Sequence, residues 1–110
     1  MRQYLYRLTP TRLEMVTEVP TDDERRVVGE HFQYLTGLAA EGRVLLFGRT
    51  QNNDEQTMGL AILQADSEEE ARRIMENDPA VKNRVMQASL YPYQIAGMSL
   101  PALQLANEEE

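Results

Sequence analysis

Two helix-start signatures recur along the chain, Thr21-Asp22-Asp23-Glu24 and Ser67-Glu68-Glu69-Glu70. In each, a hydroxyl residue is followed three places on by glutamate, so side chain and backbone can cap one another, and acids crowd the first turn. The rest of the sequence must be arranged around helices that begin at those two points. The first should run from Thr21 to about Ala40, where Gly42 stops it. The second should finish near Asn77, because Pro79 restricts the residue before it.

Strand-like segments fill the remainder. Tyr4-Leu5-Tyr6-Arg7-Leu8 precedes the first helix and is closed by Pro10. Arg43 to Gly48 and Thr57 to Gln64 flank a polar turn, Gln51-Asn52-Asn53-Asp54-Glu55, and Val85 to Ile95 follows the second helix. Pro92 removes one ladder donor from that last strand and predicts a sheet edge. The order is βαββαβ. It predicts an α+β, ferredoxin-like fold, a four-stranded antiparallel sheet with both helices on one face. Residues 1–97 form this domain. Residues 98–110 form a tail that carries Leu100, Leu103 and Leu105 before Glu108-Glu109-Glu110.

At 110 residues the chain is the size of one domain, with enough length to bury one modest core. Hydrophobic residues at 42% and charged residues at 26% match globular rather than disordered chains. With no cysteine and one histidine, disulfides, thiolate metal sites, cysteine nucleophiles and multi-histidine metal centres are excluded. No phosphate-cradling glycine loop is present either, so neither metal nor organic cofactor is expected. Val44-Leu45-Leu46-Phe47 is too short to span a bilayer, the N-terminus lacks a signal-like apolar stretch, and a cytoplasmic location is expected. A net charge of −7 suits neither a nucleic acid nor an anionic membrane surface.

The third strand places Met58, Leu60 and Ile62 on one face and Gly59, Ala61 and Leu63 on the other. A sheet face left to water should alternate with polar residues. Something should therefore cover the face without helices, and a second copy packed sheet to sheet is the simplest candidate.

His31 is the first candidate for chemistry. In the first helix Val28, Phe32, Leu35 and Ala39 define the expected buried face, with His31 to one side of its centre, in line with Val27 and Leu38. It is either a packed core histidine or a general acid/base. Asp78 continues the apolar stripe Ala71, Ile74 and Met75 of the second helix. It either opens an Asp-Pro turn by bonding nearby amides or, as a buried carboxylate, orients an imidazole. The topology brings the early part of the first helix near the close of the second, which leaves contact between the two open. Arg49 and Thr50 follow a strand end where a turn could bring them to a pocket mouth, and Arg49 could clamp a substrate carboxylate. Tyr4, Tyr6, Tyr91 and Tyr93 alternate on strands as core or interface residues; Tyr93 is also a candidate substrate contact. Glu68-Glu69-Glu70 is a capping feature, not a metal site.

Taken together, His31 to Leu35, Gly42 to Thr50, Ser67 to Ala71, Asn77 to Lys82 and Leu90-Tyr91-Pro92-Tyr93 resemble the YciI-like family over about residues 2–97. The resemblance implies a dimeric α+β barrel. It also implies that His31 and Asp78, which match the family's characteristic histidine and Asp-Pro, form its proposed active site. A related branch includes a dehydrochlorinase acting on a chlorinated hydroxyhydroquinone. Many members carry a small residue and glycine where this chain has Asn83 and Arg84, a departure expected to change the pocket edge.

Two functions fit: an acid/base enzyme for a small molecule, by elimination or isomerisation, or a non-catalytic ligand-binding module using the same pocket. RNA binding, which shares the topology, is excluded by a third strand without aromatic residues and by the charge.

Overall fold

In the computed structural model, which describes residues 1–101, the elements run β1 (Arg2–Pro10), α1 (Glu14–Thr17), α2 (Asp22–Ala40), β2 (Val44–Arg49), β3 (Gly59–Ala65), α3 (Glu68–Asn77), α4 (Pro79–Lys82) and β4 (Met86–Tyr93). The strands form one antiparallel sheet in the order β2-β3-β1-β4, which is the ferredoxin-like α+β arrangement. Pro92 lies on β4, an edge strand, opposite Tyr4. Leu103 and Leu105 of the tail lie outside the described residues. No helix among the described residues is long and apolar enough to cross a membrane.

Local chemistry accounts for the two long helices. At α2 the Thr21 hydroxyl accepts from the Glu24 amide at 3.1 Å, and the Glu24 carboxylate accepts from the Thr21 amide at 2.8 Å. The helix ends in paired bonds, Gly42 N–H to Ala39 C=O and Arg43 N–H to Leu38 C=O, which require a left-handed residue; Gly42 supplies it at φ 78°. At α3 only half of the expected reciprocity forms. Ser67 accepts from the Glu70 amide, but the Glu70 carboxylate takes the Asp66 amide, one residue further back.

The core lies between the sheet and the helices. Tyr4, Tyr6 and Leu8 of β1, Ala61, Leu63 and Ala65 of β3, and Val44 of β2 meet Leu35 of α2 and Ala71, Ile74 and Met75 of α3. Burying each of the larger side chains is worth about 1.5–3 kcal/mol. The opposite sheet face carries Leu5, Leu60, Ile62, Leu46, Tyr91 and Tyr93 at matched positions. Leu46 and both tyrosines are exposed there.

Several boundaries differ from the sequence expectation. β1 extends through Pro10, which pairs with Met86 instead of closing the strand. β3 begins at Gly59, because the buried Thr57 is held in the preceding loop, its hydroxyl donating to the Asn52 carbonyl and accepting from the Asp54 amide. Two short helices, α1 and α4, appear where none was expected. β2 carries an irregularity between Val44 and Leu46.

The apolar face of α2 is also rotated. Val27 and Leu35 are buried, whereas Phe32 is 60% exposed and Ala39 is exposed. The inward face is therefore centred nearer Val27, His31, Tyr34 and Leu38 than the set Val28, Phe32, Leu35 and Ala39. His31 points at the helical layer, not along its margin.

Candidate functional site

Pro79 cannot supply the amide that would continue α3, so the chain turns at Asp78. This residue closes α3 and opens α4 with φ −60° and ψ 125°. Its carboxylate is fully buried and receives three donors. Ala80 N–H donates to Oδ1 at 3.0 Å, and the Tyr6 hydroxyl donates to Oδ2 at 2.8 Å. His31 Nδ1 sits 2.7 Å from Oδ1 and 2.8 Å from Oδ2. The side chain of His31 is 14% exposed.

The amide can only donate, and burial, reinforced by the charge of Asp78, raises Tyr6 far above the ordinary phenol range and keeps its proton in place. As a carboxylate, Asp78 accepts from all three neighbours, with Nδ1 carrying the imidazole hydrogen. Nε2 has no hydrogen-bond partner among the described residues. A second phenol supports the arrangement from α2. Tyr34 donates to the Ile74 carbonyl at 2.7 Å, and burial together with Asp78 pushes its ionisation up to about 12.

His31 lines a cavity of about 720 Å³ between α2, the α1 segment and the sheet. Its walls are mainly apolar, with Leu8, Val28, Phe32, Leu35, Phe47, Met58 and Met86 among them. Phe32 and Phe47 meet edge to face at 5.8 Å between ring centres. The α1 side is anchored by Arg12, whose guanidinium grips both oxygens of Glu24, at 2.6 and 2.9 Å, and the Val19 carbonyl at 3.1 Å. That clamp holds the Glu24 carboxyl down at about 2.

The structure brings His31 and Asp78 into direct contact and places Arg49 on the wall of the same cavity. Thr50 is not on that wall. Its hydroxyl accepts from the Met58 amide at 3.0 Å and its carbonyl accepts from Arg49 Nε at 2.8 Å, so it closes the hairpin and braces the arginine. Tyr93 lies elsewhere, on the sheet face without helices and along a second cleft with Arg2, Gln3 and Glu68. Asn83 and Arg84 do not shape the edge of the cavity, contrary to expectation; they form the turn from α4 to β4, where Arg84 takes φ 60°. Tyr6 and Tyr34 were missed as site residues. The available signal was the alternation that sends Tyr6 inward, since a buried phenol needs a partner for its hydroxyl.

The comparisons agree with this architecture. A 5-chloro-2-hydroxyhydroquinone dehydrochlorinase from Burkholderia phenoliruptrix AC1100, solved in complex with 2,5-dihydroxybenzoquinone, is similar at a TM-score of 0.62 and 19% identity. The match covers 84% of this chain and 93% of that one, and at that identity the likeness is one of fold. No curated protein matches the chain. The YCII-related domain matches residues 9–92, from the end of β1 to the close of β4. The chain belongs to the YCII-related, or YciI-like, family.

Proposed function

We propose that this protein is an acid/base enzyme acting on a small ring or carbonyl compound held in the cavity beside His31. The observation that carries the reading is a histidine whose Nδ1 is bound to a fully buried carboxylate at 2.7 Å while its ring lines an apolar cavity. Nε2 takes an O–H or C–H proton from the ligand, and the released electrons move toward a neighbouring carbon. In an elimination the leaving group departs from that carbon as an anion; in an isomerisation the proton returns there. Neither outcome exchanges electrons with an outside partner. Asp78 holds the ring orientation and stabilises the imidazolium that forms, and Tyr6 and the Ala80 amide hold Asp78.

The dehydrochlorinase likeness makes 5-chloro-2-hydroxyhydroquinone the first probe, with chloride release as the readout. Turnover that falls by roughly 10²–10⁴ in His31→Asn supports the proposal. Undiminished turnover in that variant refutes it. Saturable binding without turnover of any hydroxylated haloarene favours the ligand-binding module instead.

The same reading includes a homodimer through the bare sheet face, supported by Leu5, Leu60 and Ile62 on that face. Sedimentation at micromolar concentration should give about twice the 12.6 kDa chain mass. A monomer would refute it.

A further inference from the structure

We infer that the cavity beside His31 selects its ligand in anionic form, and that Arg49 is the residue that reads the charge. The inference rests on that cavity being the functional one. It follows from the state of the ionisable side chains on its wall.

Four of them matter. Glu24 pairs with Arg12 at 2.6 Å, Arg25 pairs with Asp22 at 3.0 Å, and His31 bonds to Asp78. Arg49 alone of the four has no carboxylate within ion-pair distance among the described residues. Among the described residues, a chain with a net charge of −7 thus keeps a cation without an ion-pair partner at its apolar cavity.

The guanidinium is also held in place. Nε donates to the Thr50 carbonyl at 2.8 Å and Nη2 to Asn53 Oδ1 at 2.7 Å, which leaves Nη1 without a partner among the described residues. The loop beneath it is cross-braced: Asn52 donates to Asp54 at 2.7 Å, the Gln56 amide to Asp54 at 2.8 Å, and the Asp54 amide to Thr57 at 3.0 Å. A guanidinium fixed in this way loses little side-chain freedom when an anion arrives. Phe32 and Phe47 offer the complementary surface for a ring. The chemistry that fits is a flat ring bearing one negative oxygen group, a carboxylate, phenolate or enolate.

A matched pair of probes separates charge from shape: 2,5-dihydroxybenzoate and its neutral counterpart 2,5-dihydroxybenzamide, titrated calorimetrically against wild type, Arg49→Gln and His31→Asn. The carboxylate should bind roughly tenfold or more tightly than the amide in wild type. The preference should persist in His31→Asn and shrink to about twofold in Arg49→Gln. Arg49 is exposed, so its variant should keep the wild-type circular dichroism and melting temperature. Equal affinity for the two probes in wild type overturns the inference. So does a preference that survives in Arg49→Gln, one that vanishes with His31 instead, or no saturable binding of the carboxylate up to about 10 mM. Because binding is read without turnover, a charge preference that tracks Arg49 stands even where the catalytic proposal fails.

Discussion

Removing the Tyr6 hydroxyl probes the buried site without relying on any substrate. Tyr6→Phe keeps the ring, which is fully buried in the core, and deletes only the donor 2.8 Å from Asp78 Oδ2. A hydrogen bond to a charged group contributes about 1.5–3 kcal/mol, and here the acceptor left behind has no access to water. Near 4–8 °C per kcal/mol for a domain approaching this size, the melting temperature should fall by about 6–24 °C.

Asp78→Asn is harsher. Its carboxamide presents one oxygen and one NH₂ to a pocket built of three donors, so at least one neighbour must turn away or the imidazole must shift its hydrogen to Nε2. A cost of about 3–5 kcal/mol is expected, as for breaking a buried charged pair. In the Asp78→Asn background the Tyr6 hydroxyl no longer has a carboxylate to serve, so removing it as well costs less. The two losses should therefore fall short of additivity by about 1–2 kcal/mol in urea denaturation followed by circular dichroism. Additivity within about 0.5 kcal/mol, or a Tyr6→Phe protein as stable as wild type, would refute the arrangement of donors around Asp78.

Two further outcomes follow from the same structure. Tyr34, pushed up to about 12 from an ordinary 10.0, ionises later in the folded chain than in the unfolded one. Its contribution is thus fully present below pH 10 and lost as the pH rises from there toward 12. Denaturation midpoints measured across that window should fall less steeply in Tyr34→Phe than in wild type; identical slopes would count against the assignment. Arg84, at φ 60°, holds a side chain in the left-handed region, so Arg84→Gly should be neutral or stabilising by up to about 1 kcal/mol in thermal melts, whereas destabilisation beyond that would mean the side chain does work the turn does not reveal.

What was legible in the sequence was local. The Thr21 and Ser67 caps, the stop at Gly42 and the break imposed by Pro79 each depend on residues within a turn of one another; all form, the reciprocal bond at Ser67 excepted. The helices α1 and α4 escaped notice because a single turn carries no periodicity to read. The start of β3 was misplaced because Thr57 reads as strand by type, whereas its hydroxyl bonds hold it in the loop. For Tyr6 the alternation along β1 points to a buried hydroxyl in need of a partner but not to which one, because Asp78 is 72 residues away and no spacing encodes such a bond.

The rotation of α2 shows how polar groups can override an apolar count. Turning Phe32 inward would bury more carbon, yet Phe32 stays 60% exposed on the cavity side, against Phe47. In the observed orientation the Tyr34 hydroxyl reaches the Ile74 carbonyl and His31 reaches Asp78, so two polar groups facing the helical layer find acceptors. An unsatisfied buried donor costs about 1–3 kcal/mol, comparable with burying one more large side chain. The two readings of Asp78, a local turn former or a partner for histidine, then cease to be alternatives. The Ala80 amide that caps α4 on Oδ1 bonds the same carboxylate whose two oxygens His31 Nδ1 meets. The Asp-Pro turn thus shapes the candidate site as well as ending the helix, and it engages Nδ1 of a histidine that lines the cavity.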